Sequence, residues 1–414
     1  MRMGRTIPPA AAPLETKDLL YGLRGWFRGK QEVARFIDEL KQYFRVKHCF
    51  AVSSGKAALT LLLRALQRIR PERDRVLMPA FVCHSVPAAV VRGGLRVELC
   101  DIEAETLAYD TDKLKQKLTG PGSERLLAII IPYLYGLPAD VPGICELVKG
   151  RDIFIVEDAA QAMGYQVRGM MAGTIGDAGF FSLGRGKALS TEEGGIVVTD
   201  DDRVAEALGN LYRGLPGYTA VQTLRLVVSS VFVFVFGRPG LFWFPKMLPF
   251  LKIGNTFFDP SFPLRAFSSF QAGLARNWRA RLQHHNRLRK QNAEWFRLKL
   301  GNQGIRYPSP QGTGNGYVPV VPRYPIRVTD RRLWKALIQR SEQEGLGIMW
   351  TYPTAVNEIP ALHSSFSEQS FPEGERVTRQ LLTLPVHPML TRPDREKIVS
   401  ELCRNGLMQA PKNP

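Results

Sequence analysis

One short run of residues constrains the fold more than any other part of this sequence. Residues 153–156 are apolar and end abruptly in Glu157 and Asp158. Such a run is typical of a buried strand in a parallel sheet, because strands of this kind are covered on both faces. In open α/β sheets, ligands bind beyond the carboxyl ends of the strands. The pattern therefore predicts a carboxylate at the ligand-binding edge of an α/β sheet.

A lysine follows the next apolar segment. Residues 179–181 end in Ser182, and Lys187 lies in the glycine-flanked loop that comes next. An acid and a lysine at adjacent strand ends suit pyridoxal phosphate: the lysine forms a Schiff base, and the carboxylate keeps the pyridine nitrogen protonated so that the ring accepts electrons. Taken singly, Asp158 and Lys187 also fit a structural strand end and a solvated loop. Their order along the chain favours the cofactor site.

Strands and helices alternate along the first half of the chain. Strands are predicted at 48–52, 75–78, 96–99, 126–132 and 153–156, and helices at 30–43, 56–66, 141–149 and 204–211. This alternation indicates an α/β fold in which helices cover both faces of a mostly parallel sheet. The last part mixes strands at 317–322 and 324–327 with helices at 267–300, 331–344 and 392–404, which predicts a smaller C-terminal α+β domain.

The central segment resembles the DegT/DnrJ/EryC1/StrS sugar aminotransferases. The shared motifs are E-D-A-A-Q, G-D, F-S, K and E-G-G, at 157–161, 176–177, 181–182, 187 and 193–195. The resemblance runs from about residue 33 to residue 402. It implies an aspartate-aminotransferase-like (fold type I) large domain that binds pyridoxal 5'-phosphate. It also implies a transaminase that converts a nucleotide-linked keto sugar to an amino sugar for polysaccharide or glycoconjugate biosynthesis, with glutamate as the expected amino donor.

The resemblance assigns Lys187 and Asp158 as catalytic and several further residues as cofactor-binding. Ser54, Gly55 and Lys56 open a predicted helix, whose N-terminus attracts phosphate. The Ser182 hydroxyl contacts the same phosphate in the family. Without the resemblance, Ser54 is an ordinary helix cap and Ser182 a strand-end serine that bonds to local backbone.

Two more cofactor contacts are expected, and no metal. Gln161 is placed near the phenolic oxygen of the cofactor, although a glutamine at a helix start is usually solvated. The family stacks an aromatic residue on the pyridine ring where this chain has Cys83, so the neighbouring His84 is the expected stacking group. Simple packing near a strand end is the alternative for His84.

Several departures from the family pattern motivate a second hypothesis. Lys56 replaces a threonine, Glu192 replaces a glycine, and the asparagine that crosses the family's dimer interface is not recognisable, with Asn255 and Arg265 as the nearest candidates. A non-catalytic member that binds a ligand, or that scaffolds membrane-associated polysaccharide assembly, is the alternative function. Retention of Asp158 and Lys187 argues against it. Lys187 also argues against the family's dehydratase branch, which has histidine at this position.

An apolar insertion interrupts the resemblance. Four regions follow: a disordered N-terminal tail at 1–25, the large cofactor-binding domain at 26–220, the insertion at 221–262 and the small domain at 263–414. The apolar run at 224–236 is shorter than the roughly 20 residues that span a bilayer. Its aromatic and basic flanks instead predict a hairpin at 224–250 that contacts the membrane surface. The alternatives are packing on a partner subunit or covering the sugar site.

Composition limits the partners and the compartment. The net charge is +18, but no nucleic-acid motif is recognised, so nucleic acid is not expected. The five cysteines lack metal-ligand spacing and no signal peptide is apparent, which predicts free thiols in the cytoplasm, with possible peripheral contact at the inner membrane. The family resemblance implies a homodimer with each site near a two-fold interface.

Overall fold

The computed structural model describes residues 3–167, 169–248, 256–301, 308 and 322–404. The strands are β1 His48–Val52, β2 Arg75–Pro79, β3 Arg96–Cys100, β4 Leu126–Pro132, β5 Phe154–Asp158, β6 Gln166–Val167, β7 Met170–Met171, β8 Ala178–Ser182, β9 Gly195–Thr199, β10 Arg323–Arg327 and β11 Leu381–Pro385. The helices are α1 Thr16–Arg28, α2 Lys30–Phe44, α3 Gly55–Ile69, α4 Ser85–Gly93, α5 Thr111–Thr119, α6 Val141–Val148, α7 Asp202–Arg213, α8 Ala220–Phe236, α9 Trp243–Lys246, α10 Ser269–Leu274, α11 Trp278–Gly301, α12 Arg331–Glu344, α13 Pro372–Gln380 and α14 Arg392–Arg404.

A seven-stranded sheet organises the large domain, in the order β1-β9-β8-β5-β4-β2-β3. The strands from β8 to β3 run parallel to one another, whereas β9 pairs antiparallel with both β8 and β1. Every residue of β5 and β9 is buried, as expected for strands covered on both faces. The predicted α/β fold with a mostly parallel sheet is confirmed.

Helices cover the two faces of this sheet with separate apolar clusters. One face packs against α3 and α4, with Leu62 and Val90 fully buried. The other face packs against α2 and the start of α11, where Phe36 and Trp278 meet edge to face at 6.2 Å between ring centroids. The carboxyl ends of the parallel strands are left open between these layers.

A third apolar cluster forms the core of the C-terminal region. It combines the antiparallel pair β10–β11 with α12, α14 and the second half of α11, through residues such as Phe296, Ile326 and Leu384. The predicted single helix at 267–300 is corrected to two helices, because Ser268 caps α10 and the chain turns before α11 begins. The predicted strand at 317–322 lies outside the described residues except for Pro322. The boundary at residue 263 stays a prediction.

The N-terminal segment is ordered, which corrects the predicted disordered tail at 1–25. Helix α1 begins at Thr16, and Ile7 is buried in the third cluster. The backbone of residues 6–8 is fixed by hydrogen bonds to distant groups: Thr6 N donates to Pro239 O, Ile7 N to Gly345 O, and the His387 ring bonds to Pro8 O at 2.9 Å. A proline- and alanine-rich segment has little local preference for structure, so its order comes from these long-range contacts.

In the part of the insertion before residue 249, the chain forms helix α8, a turn and the single-turn helix α9. One side of α8 packs through Leu226 against Phe270 and Leu274 of α10. Helix α9 is joined to α12 by an ion pair between Lys246 and Glu342, 2.8 Å long. Within the described ranges, no helix has both the length and the apolar character needed to cross a membrane.

Candidate active site

The predicted acid, serine and lysine come together at the carboxyl edge of the sheet. Strands β5 and β8 are parallel neighbours, with Asp158 paired to Phe180, so β5 ends in Asp158 beside the Ser182 end of β8. Lys187 lies in the loop after β8. All three residues line a cavity of about 1200 Å³, which is larger than the roughly 300–1,000 Å³ usual for small-molecule sites.

Burial shapes the charges of the catalytic pair. Asp158 is only 8% exposed, and this burial raises the pKa of its carboxyl to about 6, while the charge of Lys187 and a hydrogen bond from Ala160 N oppose the shift. Burial also lowers the pKa of the Lys187 amine. A bound cation at Asp158 would favour its ionised form, because an opposite charge stabilises a carboxylate.

Glu157 holds the strand end that presents Asp158. Its carboxylate accepts hydrogen bonds from Tyr133 Oη at 2.5 Å, Gly173 N at 2.8 Å and Gly176 N at 2.7 Å, on the side of the sheet away from the cavity. Successive side chains of a strand point to opposite faces, so fixing Glu157 also fixes the direction of Asp158. Glu157 belongs to the E-D motif, but its supporting role was not predicted from the sequence.

The N-terminus of α3 forms the predicted anion site. Ser54 caps the helix, with its Oγ accepting from Ala57 N at 3.1 Å. Gly55 packs so closely on β8 that a Cβ there would lie 2.9 Å from the Cβ of Ser182. This contact leaves the first-turn N–H groups of α3 facing the same cavity as the Ser182 hydroxyl. Lys56 also lines the cavity, and its ammonium lies 4.5 Å from the centroid of the Phe262 ring.

The residues near the position expected for the pyridine ring of the cofactor differ in part from the prediction. Gln161 lines the cavity as expected, and its Nε2 donates to the Tyr352 hydroxyl at 3.0 Å. His84 does not line the cavity: it is buried, and its Nε2 bonds to Thr354 O at 2.9 Å. The stacking role predicted for His84 is therefore corrected, because its ring is held by the loop at Thr354. Cys83 and Tyr352 line the cavity in this region instead.

The two candidates for the interface asparagine gain no support. Asn255 lies outside the described residues. Arg265 places its guanidinium over the Tyr218 ring, 5.7 Å from the centroid, and its backbone N donates to Ser53 Oγ at 3.3 Å. Arg265 does not line the cavity of its own chain.

A buried arginine from α11 fixes the lysine loop. The Arg289 guanidinium donates to Ala188 O at 2.9 Å, to Lys187 O at 3.1 Å and to Ala11 O at 3.0 Å. Burial lowers its pKa to about 10. Arg289 therefore joins the lysine loop to the N-terminal segment. Nothing in the local sequence distinguishes it from the other cations of this basic helix, so sequence reasoning missed it.

The insertion helix is attached to the same loop. Glu192 has a φ of 74°, in the left-handed region that favours glycine. Its buried carboxylate accepts from Arg185 Nε at 2.6 Å and from Ser229 Oγ of α8 at 2.5 Å. The glutamate that departs from the family's glycine thus connects the lysine loop to the insertion that the family pattern lacks.

Helix α8 also supplies a wall of the cavity. Val221, Leu224, Val228 and Phe232 lie on the side of α8 that lines it, and Val228 is 61% exposed. Part of the apolar surface that predicted a membrane contact therefore faces the active-site cavity.

Comparison with known proteins identifies the family. The chain matches the DegT/DnrJ/EryC1/StrS aminotransferase family over residues 16–223 and 265–403. It belongs to this family. The unmatched stretch, 224–264, coincides closely with the predicted insertion at 221–262. Pyridoxal phosphate is accordingly the cofactor of this chain.

Similar proteins include both transaminases and dehydratases. The dTDP-3-amino-3,6-dideoxy-alpha-D-galactopyranose transaminase of Aneurinibacillus thermoaerophilus is 24% identical over 92% of each chain. The GDP-perosamine synthase of Caulobacter vibrioides is 26% identical over 89% of this chain and 90% of that protein. The GDP-4-keto-6-deoxy-D-mannose 3-dehydratase of Yersinia pseudotuberculosis is 35% identical, over 51% of this chain and 55% of the dehydratase.

Solved structures show the same fold. The sugar aminotransferase CalS13 of Micromonospora echinospora superposes with a TM-score of 0.74 at 22% identity, over 96% of this chain and 99% of that one. An E. coli GDP-4-keto-6-deoxy-D-mannose-3-dehydratase with bound hydrated PLP gives 0.72 at 19% identity, over 99% and 100% of the two chains. At these identities the likeness establishes the fold.

The residues present fit pyridoxal phosphate. Asp158 is a buried carboxylate with no ion pair within 4.0 Å among the described residues, which suits a protonated pyridine nitrogen. The α3 N-terminus and Ser182 form an anion cradle that a Cβ at Gly55 would fill. Lys187 lines the same cavity as these groups. The cavity therefore contains a carboxylate for the pyridine nitrogen, an anion site for the phosphate and an amine for the Schiff base.

Proposed function

We propose that this chain is a pyridoxal-phosphate-dependent aminotransferase that converts a nucleotide-linked keto sugar to an amino sugar for polysaccharide or glycoconjugate biosynthesis. The observation that carries the proposal is the shared cavity of Asp158 and Lys187 at the sheet edge. The sugar substrate is supported by the names of similar proteins, among them a GDP-perosamine synthase and a dTDP-amino-sugar transaminase. Lysine at position 187 favours transamination over the dehydratase branch.

Each residue has a defined task in this reaction. When bound, the cofactor supplies an electron sink that stabilises negative charge on the reacting carbon. The Lys187 amine, whose pKa is lowered by burial, would accept and return the proton of that carbon. Asp158 holds the pyridine-nitrogen proton, Ser54, Gly55, Lys56 and Ser182 hold the phosphate, and the apolar wall from α8 limits water.

The function is tested by nitrogen transfer. Loaded wild-type protein is incubated with ¹⁵N-glutamate, the proposed amino donor, and a panel of nucleotide-linked keto sugars, and the label in the sugar is measured by mass spectrometry. Lys187→Ala should bind cofactor but transfer no label, because the proton acceptor is gone. A protein that stays colourless with cofactor would instead support the non-catalytic alternative.

A homodimer is proposed as the assembly. The family resemblance and the prevalence of two-fold dimers support it. Sedimentation equilibrium should give twice the chain mass. Full activity from a monomer would contradict this assembly.

We propose that the protein binds peripherally to the membrane surface through residues 224–250. Apolar side chains of α8 would contribute about 1.5–3 kcal/mol each when buried, and nearby basic residues about 1 kcal/mol each at an anionic surface. Vesicle flotation tests the contact, comparing wild type with a variant whose exposed residues Leu224, Val228 and Val231 are serine. Equal recovery of both proteins with anionic vesicles, or of neither, would contradict the contact.

A further inference from the structure

A second cation faces the reacting lysine from the small domain. Strand β10 begins at Arg323, whose side chain lines the cavity together with Lys187, Cys83 and Tyr352. Its guanidinium donates to Met349 Sδ at 3.5 Å. Met349 is held in turn by paired backbone hydrogen bonds with Thr383 of β11. The position of Arg323 is therefore set by the β10–β11 pair and not by a flexible loop.

This arginine has no acidic partner in the described part of the chain. No carboxylate there lies within 4.0 Å of its guanidinium, whereas Arg327 on the same strand pairs with Glu105 at 2.7 Å. Arg323 and Lys187 line the same cavity, and the positive charge of Arg323 adds to the effect of burial in lowering the pKa of the Lys187 amine. Arg323 is partly buried, and a cation withdrawn from water without a counter-ion is destabilising. An anion that enters the cavity would remove this cost.

We propose that Arg323 binds the carboxylate next to the amino group of the amino donor. The proposal rests on the proposed function, because it assumes an amino acid as donor. In an amino acid the amine nitrogen and the carboxylate carbon share one carbon and lie about 2.5 Å apart. A donor whose amine reaches the Lys187 end of the cavity therefore places its carboxylate close by. A guanidinium matches that planar group with two parallel hydrogen bonds.

The other anion that could enter is the diphosphate of the sugar substrate. In a nucleotide-linked sugar the phosphates are separated from the reacting carbon by ring bonds, so they lie farther from Lys187 than a donor carboxylate does. Two further arginines, Arg225 and Arg238, line the cavity from the insertion. These cations are available to a diphosphate in the sugar half-reaction, and Arg323 to the donor carboxylate in the glutamate half-reaction.

Measuring the two half-reactions separately distinguishes binding of the donor carboxylate by Arg323 from binding of the sugar diphosphate. Arg323→Met keeps an unbranched side chain that ends near the position of the arginine Nε and removes the rest of the guanidinium. It is compared with Arg327→Met, which lies on the same strand but outside the cavity. Loss of a charge-assisted pair should lower kcat/KM for the glutamate half-reaction about 10- to 150-fold. The reverse half-reaction with the amino-sugar product should be unchanged, as should reaction with propylamine, which lacks a carboxylate. Arg323→Lys should recover part of the loss.

A binding measurement tests the proposed carboxylate contact without requiring catalytic turnover. Calorimetric titration of the loaded proteins with 2-oxoglutarate should give weaker binding for Arg323→Met than for wild type or Arg327→Met. Equal loss in both half-reactions, or loss confined to the amino-sugar half-reaction, would overturn the proposal in favour of a structural or a phosphate role. A wild type that binds 2-oxoglutarate through Arg323 but transfers no nitrogen would refute the proposed function and leave the anion site standing.

Discussion

At the scale of single residues, Asp158 shows how a catalytic group is maintained at a cost to stability. Its pKa rises from 3.8 to about 6 in the folded, cofactor-free protein because it is buried. Its proton is therefore bound more tightly in the folded state than in the unfolded state. The resulting contribution to the free energy of unfolding is full below pH 4 and is lost as the pH rises through 6.

The pH dependence gives the first prediction. In cofactor-free protein, the unfolding free energy of wild type should fall by about 1–3 kcal/mol relative to Asp158→Asn between pH 4 and pH 6.5. Urea unfolding at several pH values measures the difference. Parallel curves for the two proteins would show that Asp158 is not the buried titrating group.

Gly55 gives the second prediction, since its missing Cβ leaves room for the phosphate cradle. Gly55→Ala would place a methyl group 2.9 Å from the Cβ of Ser182, separating α3 from β8. Cofactor affinity should fall at least about tenfold, the equivalent of 1.4 kcal/mol, as measured by fluorescence titration. Gly209→Ala is the matched control, because no atom lies within 4 Å of a Cβ added there. Equal affinities for the two variants would rule out the close packing as the reason for glycine.

At the scale of secondary-structure elements, the insertion helix and the lysine loop form one connected unit. Glu192 keeps a strained backbone, and its carboxylate bonds to Ser229 of α8. The strain costs about 1 kcal/mol for a residue other than glycine, so the contact must stabilise the fold enough to maintain it. Helix α8 is thereby tied to the loop that carries Lys187.

This connection gives the third prediction. Glu192→Gly should relieve the backbone strain yet release α8, so amide exchange in residues 220–236 should become faster while exchange in α7 stays the same. Ser229→Ala removes the same hydrogen bond without changing the backbone and should have a similar, smaller effect. Hydrogen–deuterium exchange with mass spectrometry measures both. Unchanged exchange in α8 for both variants would mean that its apolar contacts alone hold it.

At the scale of the whole molecule, the N-terminal segment joins both domains to the active site. Arg5 pairs with Asp394 of α14 at 2.6 Å, Ile7 packs in the small-domain core, and Ala11 accepts from Arg289 beside the lysine loop. Residues 8–15 also line the cavity. A segment that is weakly structured by itself therefore closes the site and holds the domains together.

Truncation gives the fourth prediction. Removal of residues 1–13 should destabilise the protein by about 2–4 kcal/mol, through lost burial and lost backbone hydrogen bonds, and should reduce activity. Thermal unfolding and nitrogen transfer measure the two effects. Arg5→Ala, which removes only the partly buried ion pair with Asp394, should cost less. A truncated protein with unchanged Tm and activity would fit the disordered tail that the sequence predicted.

The sequence by itself determined the parts of this protein that depend on local periodicity and order. The apolar run at 153–156 predicted β5, and the direction of parallel strands then placed Asp158 and Ser182 at one edge of the sheet. The cap at Ser54 likewise predicted the start of α3. These features follow from backbone geometry and from which residues are adjacent in the chain.

Only the tertiary structure decided which distant groups meet. The orientation of His84 depends on a carbonyl at Thr354, and the order of the N-terminal segment depends on partners near the end of the chain. Arg289 and Arg323 resemble the other basic residues of the sequence until packing places one at the lysine loop and the other in the cavity. Their roles come from burial and from contacts between residues far apart in sequence, which local pattern does not encode.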